Sequence, residues 1–334
     1  MAFQLNKPLV ITPDDLRAEY AEAVLETCVV ADADVSVIEL KGSGAVTCAQ
    51  GLITNDIEDP GDGAVLYAAF LTTKGMIISD AWVTRDGETV SLIVPSRAGG
   101  SVGALLDRSV PPRLAQVKDI SAETTVLRLV GPRSLEVASR AGLHVPDPGR
   151  SVWCLLGSIK CFVSRPTEPS PFSLQINSVT RDAQQIRDSL LRTGGDPGPD
   201  TALELARILA GWPSVGNEIG EKTLPQEVRF DELNGISYTK GCYTGQETVA
   251  RLHFRGHANR GLVGLTWEGQ PNLGDDEIVQ GEKNIGRVCS MAWLDPIDQY
   301  IGIGSVRLSS DVSKPVIAAG VEANIIELPF HFDW

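Results

Sequence analysis

The pattern of apolar and polar positions in the first hundred residues predicts short strands mixed with helices. Val35 to Leu40 alternates, and Val65 to Leu71 and Met76 to Val83 are apolar runs with a short gap between them. The gap, Thr72-Thr73-Lys74-Gly75, is typical of a hairpin turn because its final glycine tolerates a positive φ. Thr89 to Val94 is predicted as a further strand.

Apolar positions spaced three and four residues apart predict the helices. The first helix is predicted from Pro13 to Leu25, with Thr12 as its N-cap and a proline at its first position. Other helices are predicted over Val46 to Leu52, Gly99 to Val110, Ser134 to Ala141 and Thr201 to Ala210. Strands are predicted at Val126 to Val130 and within Val152 to Val163, and composition predicts a loop over Gly194 to Pro199.

After Gly261 the pattern changes to short β runs interrupted by glycine, proline and aspartate. The predicted strands are Leu262 to Trp267, Ile285 to Met291, Tyr300 to Val306 and Val321 to Ile326. Short strands at this spacing are typical of a small antiparallel barrel. The sequence therefore predicts an α+β region over residues 1–255, followed by a C-terminal β-barrel over residues 256–334.

Composition and charge narrow the classes of function. The chain has 334 residues, enough for about two domains, and 29 basic residues against 43 acidic ones give it a formal net charge of −14. Since nonspecific binding to nucleic acid or to an anionic membrane needs a basic surface, the charge excludes both as general partners. The N-terminus lacks the regions of a signal peptide and no apolar run is long enough to span a membrane, so we expect a cytoplasmic protein.

The six cysteines are spread along the chain without any C-x-x-C pair. The spacings of zinc ribbons and of clustered ferredoxins are therefore absent, and we predict no resident metal. His253 and His257 have the i, i+4 spacing of metal ligands on a helix, but Gly256 interrupts that helix and no third ligand is evident. Isolated cysteines without a secretory signal also indicate a reducing compartment.

The segment Lys240-Gly241-Cys242-Tyr243-Thr244-Gly245-Gln246-Glu247 is the densest local signal in the chain. Thr244 and Glu247 fit a capping box, which predicts a helix immediately after Thr244. Cys242 then lies near the positive end of the helix dipole and close to Lys240, and both features favour the thiolate. The alternative is that Cys242 is a small buried residue in a tight turn, which is the commonest role of a free cysteine.

The helix that follows, predicted over Gly245 to Leu252, leads into a basic stretch from Arg251 to Arg260 in an acidic chain. Such a stretch can hold carboxylates or phosphates. The alternative is a solvated connection whose arginines pair with nearby acids.

Lys240 to Glu247 matches the K-G-C-[FY]-x-G-Q-E signature of the YgfZ folate-binding family, a branch of the glycine-cleavage T-protein (aminomethyltransferase) superfamily, and the chain resembles that family. Flanking elements that resemble those of the family occur in order along the chain. They are Gln50 to Asp56 (Q-G-x-x-T-N-D), Leu71 to Gly75 (L-x-x-K-G), Arg207 to Pro213 (R-I-x-x-G-x-P), Leu224 to Glu227 and Arg255-Gly256.

The resemblance implies ferredoxin-like α/β subdomains, two of them interleaved around a central folate cavity, followed by a C-terminal β-barrel. It also implies binding of tetrahydrofolate or a derivative and a role in the assembly or repair of iron–sulfur enzymes, including radical enzymes that modify tRNA. The expected partners are folate and iron–sulfur enzymes or assembly proteins, with no direct contact to nucleic acid or membrane.

The resemblance also suggests which side chains act. Cys242 is the expected functional thiol with Lys240 beside it, and Asp80 is the acid expected to face the reactive folate nitrogens. The expected folate-binding residues are Asn55, Lys74, Asp80, Arg207, Tyr243, Gln246, Glu247 and Arg255. Ser79 stands where the T-protein strand has the other of its paired acids, and Glu168 is the nearest match to the glutamate that grips the pterin.

Several alternatives stay open on the sequence alone. Asp80 also fits an exposed or capping acid, and Arg207 also fits an ion pair inside the cavity wall. A folate-dependent aminomethyl or one-carbon transferase is the second candidate function, against which Ser79 counts. A thiol-based redox protein centred on Cys242 is the third, although no His-Asp or His-Asn partner for the thiol is evident.

Overall fold

The structure is a computed structural model that describes residues 7–311 and 313–331. The helices in these ranges are α1 (Ala18–Glu26), α2 (Ala45–Gln50), α3 (Ser96–Ser109), α4 (Ser134–Arg140), α5 (Ala183–Arg192), α6 (Asp200–Leu209) and α7 (Gln246–Arg255). No helix among these is long and apolar enough to cross a membrane.

The first sheet has five antiparallel strands. In spatial order they are β4 (Val65–Leu71), β5 (Ile77–Asp86), β6 (Thr89–Pro95), β3 (Val35–Lys41) and β7 (Gln116–Asp119). Helices α2 and α3 cover one face of this sheet with a closed apolar cluster. The predicted hairpin is confirmed, because β4 pairs with β5 and Gly75 in the turn has a φ of +81°.

The second sheet has six strands. In spatial order they are β12 (Asp196–Pro197), β2 (Val29–Asp32), β8 (Thr124–Val130), β11 (Leu174–Val179), β10 (Ile159–Arg165) and β9 (Arg150–Leu156). Helices α4 and α5 bury one face of it, with Ile186 and Leu190 of α5 fully enclosed.

The C-terminal strands form the predicted antiparallel barrel. They are β13 (Arg260–Trp267), β14 (Glu277–Gln280), β15 (Lys283–Leu294), β16 (Gln299–Arg307), β17 (Val316–Ala318) and β18 (Val321–Ile326), and pairing of β15 with β16 closes the ring. A short N-terminal strand, β1 (Leu9–Ile11), pairs in parallel with β15. The α+β architecture with a terminal barrel is therefore confirmed, whereas the predicted boundary at 255/256 stays a prediction.

One apolar core joins all three sheets. Val29 of the second sheet, Tyr67 of the first and Ile303 of the barrel belong to the same buried cluster, together with α6. Their strands each have a second face, which is buried against a cluster of its own. This double burial explains why the strand segments carry apolar residues on both faces rather than a strict alternation.

The start of the first helix was predicted wrongly. Residues Pro13 to Asp15 form a turn, and α1 begins at Ala18. Thr12 does cap a turn, but through Asp15: the Thr12 backbone N–H and hydroxyl both donate to Asp15 Oδ2, at 2.9 and 2.7 Å. A local side-chain bond of this kind competes with helix formation at the same residues.

Candidate functional site

A cavity of about 260 Å³ lies where the two sheets, α6 and the segment before the barrel meet. Its volume is just below the usual range of ligand pockets, about 300–1,000 Å³, so it has room for a small molecule or for part of a larger one. Its walls combine the aromatic rings of Trp82, Phe172 and Trp212 with several charged side chains. The charged side chains are Asp34, Asp80, Arg97, Arg128, Asp200, Glu204 and Arg207.

Asp80 is the buried acid of this cavity. It lies on β5 between Ser79 and Ala81, and Tyr67 donates its hydroxyl to Asp80 Oδ2 at 3.1 Å. The other carboxylate oxygen, Oδ1, is buried and accepts no hydrogen bond from any described residue. Burial raises the pKa of Asp80 to about 6, although Tyr67 opposes the shift. An orphaned acceptor in a cavity wall suits a ligand that brings an N–H or O–H donor.

The neighbouring Ser79 cannot replace a second acid. Its side chain is fully buried and its hydroxyl donates to the carbonyl oxygen of Asp80 at 2.8 Å. The strand therefore presents a single carboxylate to the cavity.

Arg128 is a cation of the cavity wall that the sequence analysis did not identify. Its Nε and Nη2 both donate to Gln175 Oε1 at 3.2 Å, and its guanidinium lies 4.4 Å from the centre of the Phe172 ring. Burial lowers the pKa of Arg128 to about 10, although the charges of Asp80 and Glu204 oppose that shift. The sequence feature that could have identified Arg128 is its place as the one charged residue inside the otherwise apolar strand Val126 to Val130.

Arg207 lines the same cavity, but its guanidinium is engaged by the protein. Nε bonds to Glu204 at 2.8 Å, and Nη1 bonds to the Trp212 carbonyl oxygen at 2.7 Å and to Glu218 at 3.2 Å. Nη2 donates to Ser290 of the barrel at 2.9 Å. Burial works against its charge, but the two glutamates together hold the pKa of Arg207 above its usual value. The geometry matches the structural alternative for this arginine, an ion pair within the wall.

The other predicted residues lie outside that cavity, around the signature segment. Lys240 Nζ donates to three carbonyl oxygens, those of Gln50, Ile53 and Asn55, at 2.8, 2.9 and 2.6 Å. Burial lowers the pKa of Lys240 to about 8. All three protons of the ammonium group are thus used to hold the Gln50 to Asp56 motif against the signature.

Three sequence motifs meet at the start of α7: the Gln50 to Asp56 motif, the hairpin turn Thr72 to Gly75 and the signature segment. The Thr244 N–H donates to the Gly51 carbonyl oxygen at 3.1 Å. A Cβ atom on Gly75 would lie 2.7 Å from Thr248 Cβ, and one on Gly245 would lie 2.5 Å from the Thr72 carbonyl oxygen. The hairpin turn and the signature therefore touch through two glycines, which explains the residue type at both positions.

The predicted capping box at Thr244 and Glu247 is wrong by one residue. Gly245 is the N-cap, with a φ of +84°, and α7 begins at Gln246. The Gln246 side chain reaches back to accept the Tyr243 N–H at 2.9 Å, while Gln246 N–H donates to the Tyr243 carbonyl oxygen. Tyr243 and Gln246 therefore make two contacts with each other across the start of the helix. The left-handed Gly245 between them moves the first helical residue to Gln246.

Cys242 is exposed, in contrast to the alternative of a buried residue in a tight turn. Four of the other cysteines are buried and Cys48 is half-buried. Cys242 thus differs from every other cysteine of the chain in its access to solvent. It does not line the cavity that holds Asp80.

The remaining predicted residues fall into two groups. Asn55 is half-buried, and its Nδ2 donates to the carbonyl oxygens of Tyr67 and Asn234 at 2.8 and 2.7 Å. Lys74, Glu247 and Arg255 have exposed side chains. Glu168 is also exposed and lies outside the cavity wall, which instead contains Glu204. No cluster of three or more metal-ligating side chains occurs within residues 7–311 and 313–331.

Sequence comparison identifies a family and several relatives of this chain. The chain matches the family described as the GCVT N-terminal domain over residues 12–233. An aminomethyltransferase of Moorella thermoacetica is 26% identical over 312 residues, covering 88% of this chain and 83% of that protein. Proteins named tRNA-modifying protein YgfZ from Yersinia enterocolitica and Escherichia coli O157:H7 are 28% and 27% identical, covering 73% and 82% of this chain and 72% and 83% of theirs.

A solved structure shares the fold. The crystal structure of glycine cleavage system aminomethyltransferase T from Bartonella henselae matches with a TM-score of 0.80 at 18% identity, covering 93% of this chain and 88% of that chain. Two helix-backed sheets followed by a barrel are thus the fold that this chain shares with that aminomethyltransferase. The chain itself belongs to the GCVT N-terminal domain family. The resemblance to YgfZ proteins inferred from the signature is confirmed by the relatives that carry that name.

Proposed function

We propose that this protein binds tetrahydrofolate or a derivative in the cavity that contains Asp80. The observation that carries the proposal is the buried, unpartnered Oδ1 of Asp80, which would accept a hydrogen bond from the donor-rich edge of a pterin. Trp82, Phe172 and Trp212 would supply apolar walls for the flat ring. Arg128 retains donor capacity beyond its bonds to Gln175 and would serve an acceptor oxygen of the ligand. When bound, the folate would supply a carrier of one-carbon groups.

We further propose that the protein is a cytoplasmic accessory factor for the assembly or repair of iron–sulfur enzymes, tRNA-modifying radical enzymes among them. Its functional thiol is Cys242, which the signature segment presents to solvent. Lys240 is a positioning residue in this proposal, because its ammonium group fixes the loop beneath the thiol. The partners are iron–sulfur enzymes or assembly proteins, without direct contact to nucleic acid or membrane.

Titration with tetrahydrofolate tests the ligand assignment. We expect the wild type to bind and Asp80→Asn to bind at least about tenfold more weakly, because the amide turns an acceptor into a donor towards the ligand. Asp107→Asn, an exposed carboxylate on α3, is the matched control and should bind as the wild type does. Absence of binding to the wild type would remove the folate assignment.

Complementation tests the thiol. A strain that lacks the protein should lose activity of its iron–sulfur enzymes, and the wild-type chain should restore it. Cys242→Ala should fail to restore activity at an equal protein level, whereas Cys48→Ala serves as the control. Full restoration by Cys242→Ala would exclude the thiol from the mechanism.

A second candidate function is folate-dependent aminomethyl or one-carbon transfer. The aminomethyltransferase relative from Moorella thermoacetica, which spans most of the chain, favours it. The single carboxylate that β5 presents to the cavity counts against it, since Ser79 supplies no second acid. Measurable transfer of a methylene group to tetrahydrofolate by the purified protein would support this function instead.

A further inference from the structure

Three arginines follow the signature segment closely in the sequence, and a fourth lies on the strand that pairs with the last of them. We define the arginine patch as Arg251 and Arg255 on α7, Arg260 at the start of β13 and Arg307 at the end of β16. Between Glu247 and Glu268 the sequence contains no acidic residue, although the whole chain has a formal charge of −14. Within the described ranges, none of the four side chains has an ion pair or a hydrogen bond.

Two of these arginines lie directly opposite each other. Arg260 of β13 pairs with Arg307 of β16 in the antiparallel register, so both side chains project from the same face of the barrel. Like charges in this position destabilise a sheet unless an anion compensates them. No carboxylate of a described residue lies within ion-pair distance of either guanidinium, so the protein leaves this repulsion uncompensated.

The opposed arginines face an open cleft of about 510 Å³. His257, Asn259 and Ser309 also line this cleft, so all of its polar side chains are neutral or basic. The Leu308 N–H donates to the Asn259 carbonyl oxygen at 3.0 Å and fixes the cleft's two walls to each other. The cleft therefore offers a fixed concave site for a carboxylate or another anion.

An exposed aromatic side chain borders the patch. Phe254 has 68% of its surface exposed, and it lies between Arg251 and Arg255 in the sequence of α7. Its ring packs edge-on against His253, with centroids 4.8 Å apart, and His253 stacks on Tyr238. An exposed aromatic ring beside arginines is the composition that protein interfaces favour.

The helix dipole does not account for the patch. A cation in the last turn of a helix is stabilised by the partial negative charge there, which explains Arg255. Arg251 lies a full turn earlier, and Arg260 and Arg307 belong to strands. Among the residues that the structure describes, three of the four arginines therefore have no compensating partner.

We propose that the arginine patch, with Phe254, is the docking surface for an acidic segment of a partner protein. The inference rests on the proposed function, because the patch begins on the helix that directly follows Cys242 and would bring a client enzyme to the thiol. A nucleic acid fits less well, since its charged backbone would extend beyond the patch onto an acidic molecule. A short acidic segment can match the arginine patch in length, so its charges need not extend onto the acidic remainder of the molecule.

Fluorescence anisotropy with labelled peptides tests the proposal on the full-length protein. The probes are a short peptide in which glutamates flank one leucine, its glutamine counterpart, and a single-stranded RNA of similar length. We expect the glutamate peptide to bind at least about tenfold more tightly than the glutamine peptide, and its affinity to fall as salt is added. Arg260→Gln/Arg307→Gln should lose about tenfold in affinity for the glutamate peptide.

Arg108→Gln/Arg113→Gln is the matched control, because it removes two exposed arginines elsewhere and changes the net charge equally. Equal affinity for both peptides, equal losses in the two double variants, or tighter binding of the RNA would each overturn the proposal. A salt-sensitive dimer that disappears in Arg260→Gln/Arg307→Gln would also overturn it, because the occupant would then be a second copy. Both double variants should retain the wild-type affinity for tetrahydrofolate, so failure of the patch is distinguishable from failure of the folate assignment.

Discussion

The Asp80 carboxylate is buried, so its ionisation costs free energy in the folded protein. An aspartate titrates near 3.8 when solvated, but burial raises the pKa of Asp80 to about 6 in the fold. Between these values the folded protein keeps the proton that the unfolded chain has already lost. The cost of the charge therefore grows as the pH rises from about 4 to about 6, and it is fully present above that. A shift of this size corresponds to about 3 kcal/mol.

We expect Asp80→Asn to stabilise the protein while weakening its ligand binding. At about pH 7.5 the free energy of unfolding should exceed that of the wild type by about 1–3 kcal/mol, because the amide accepts the Tyr67 hydroxyl without an ionic charge. The difference should shrink as the pH falls below about 6 and approach zero below about pH 4. Urea unfolding at several pH values measures it, and a difference that does not change with pH would contradict the expected origin.

The cavity residues were only partly predictable from the sequence. Asp80 was found through its motif, whereas Arg128 in the cavity wall and Glu218, which pairs with Arg207 outside the wall, were missed. Each of the missed residues is defined by partners distant in sequence: Glu218 by Arg207 and Ser290, and Arg128 by Gln175. Burial and pairing of this kind depend on the tertiary fold, and no local pattern of residues encodes them.

At the scale of elements, three segments far apart in the sequence form one rigid unit. Lys240 holds the carbonyl groups of the Gln50 to Asp56 motif, and Gly75 and Gly245 bring the hairpin turn against α7. Since Gly245 has a φ of +84° and its missing Cβ makes room for the Thr72 carbonyl group, both conformation and space require glycine there.

We expect Gly245→Ala to destabilise the protein by about 2–4 kcal/mol, since the left-handed conformation and the steric clash each add a cost. Gly87→Ala provides the matched control. Gly87 also has a positive φ, +58°, but a Cβ atom there would meet no atom within 4 Å. That variant should lose only about 1 kcal/mol. Chemical denaturation of both variants measures the difference, and equal losses would show that contact with the hairpin turn does not matter.

Element boundaries followed local chemistry that the sequence pattern does not reveal. The two hairpin strands and four of the barrel strands were predicted within a few residues, because apolar runs and turn residues mark them, whereas β14 and β17 were not predicted. The predicted start of α1 is five residues too early and that of α7 one residue too early, because each start depends on a particular side-chain bond, from Asp15 in one case and from Gln246 in the other. Other polar residues near Asp15 and Gln246 fit a helix cap equally well, so the sequence pattern does not show which of them forms the bond.

At the scale of the whole molecule, the α+β region and the barrel share a core. Ile301, Ile303 and Leu294 of the barrel are fully buried in the cluster that also contains Tyr67 and Trp82. The barrel as an architecture was predictable from its spaced strands, but this shared core was not, since it depends on the outer face of the barrel being apolar.

We expect Ile303→Ala to destabilise both regions together by about 2–5 kcal/mol, because the void left by the missing side-chain atoms lies in the core that the two regions share. Hydrogen exchange should show faster exchange in β4 and β5 as well as in β15 and β16. Leu190→Ala, in the separate cluster under α5, is the control for a buried aliphatic residue that the barrel does not touch. Loss of protection confined to the barrel would contradict a shared cooperative unit.

The link from Arg207 to Ser290 has a consequence for how long the protein survives in a cell. Because this arginine forms part of the cavity wall and is bonded to the barrel, a ligand that occupies the cavity stabilises both regions at once. At about one hundred times its dissociation constant, a ligand adds about 2.7 kcal/mol to the stability of the protein that binds it. Proteolytic turnover acts on the unfolded fraction, so the abundance of this protein should follow the supply of its cavity ligand.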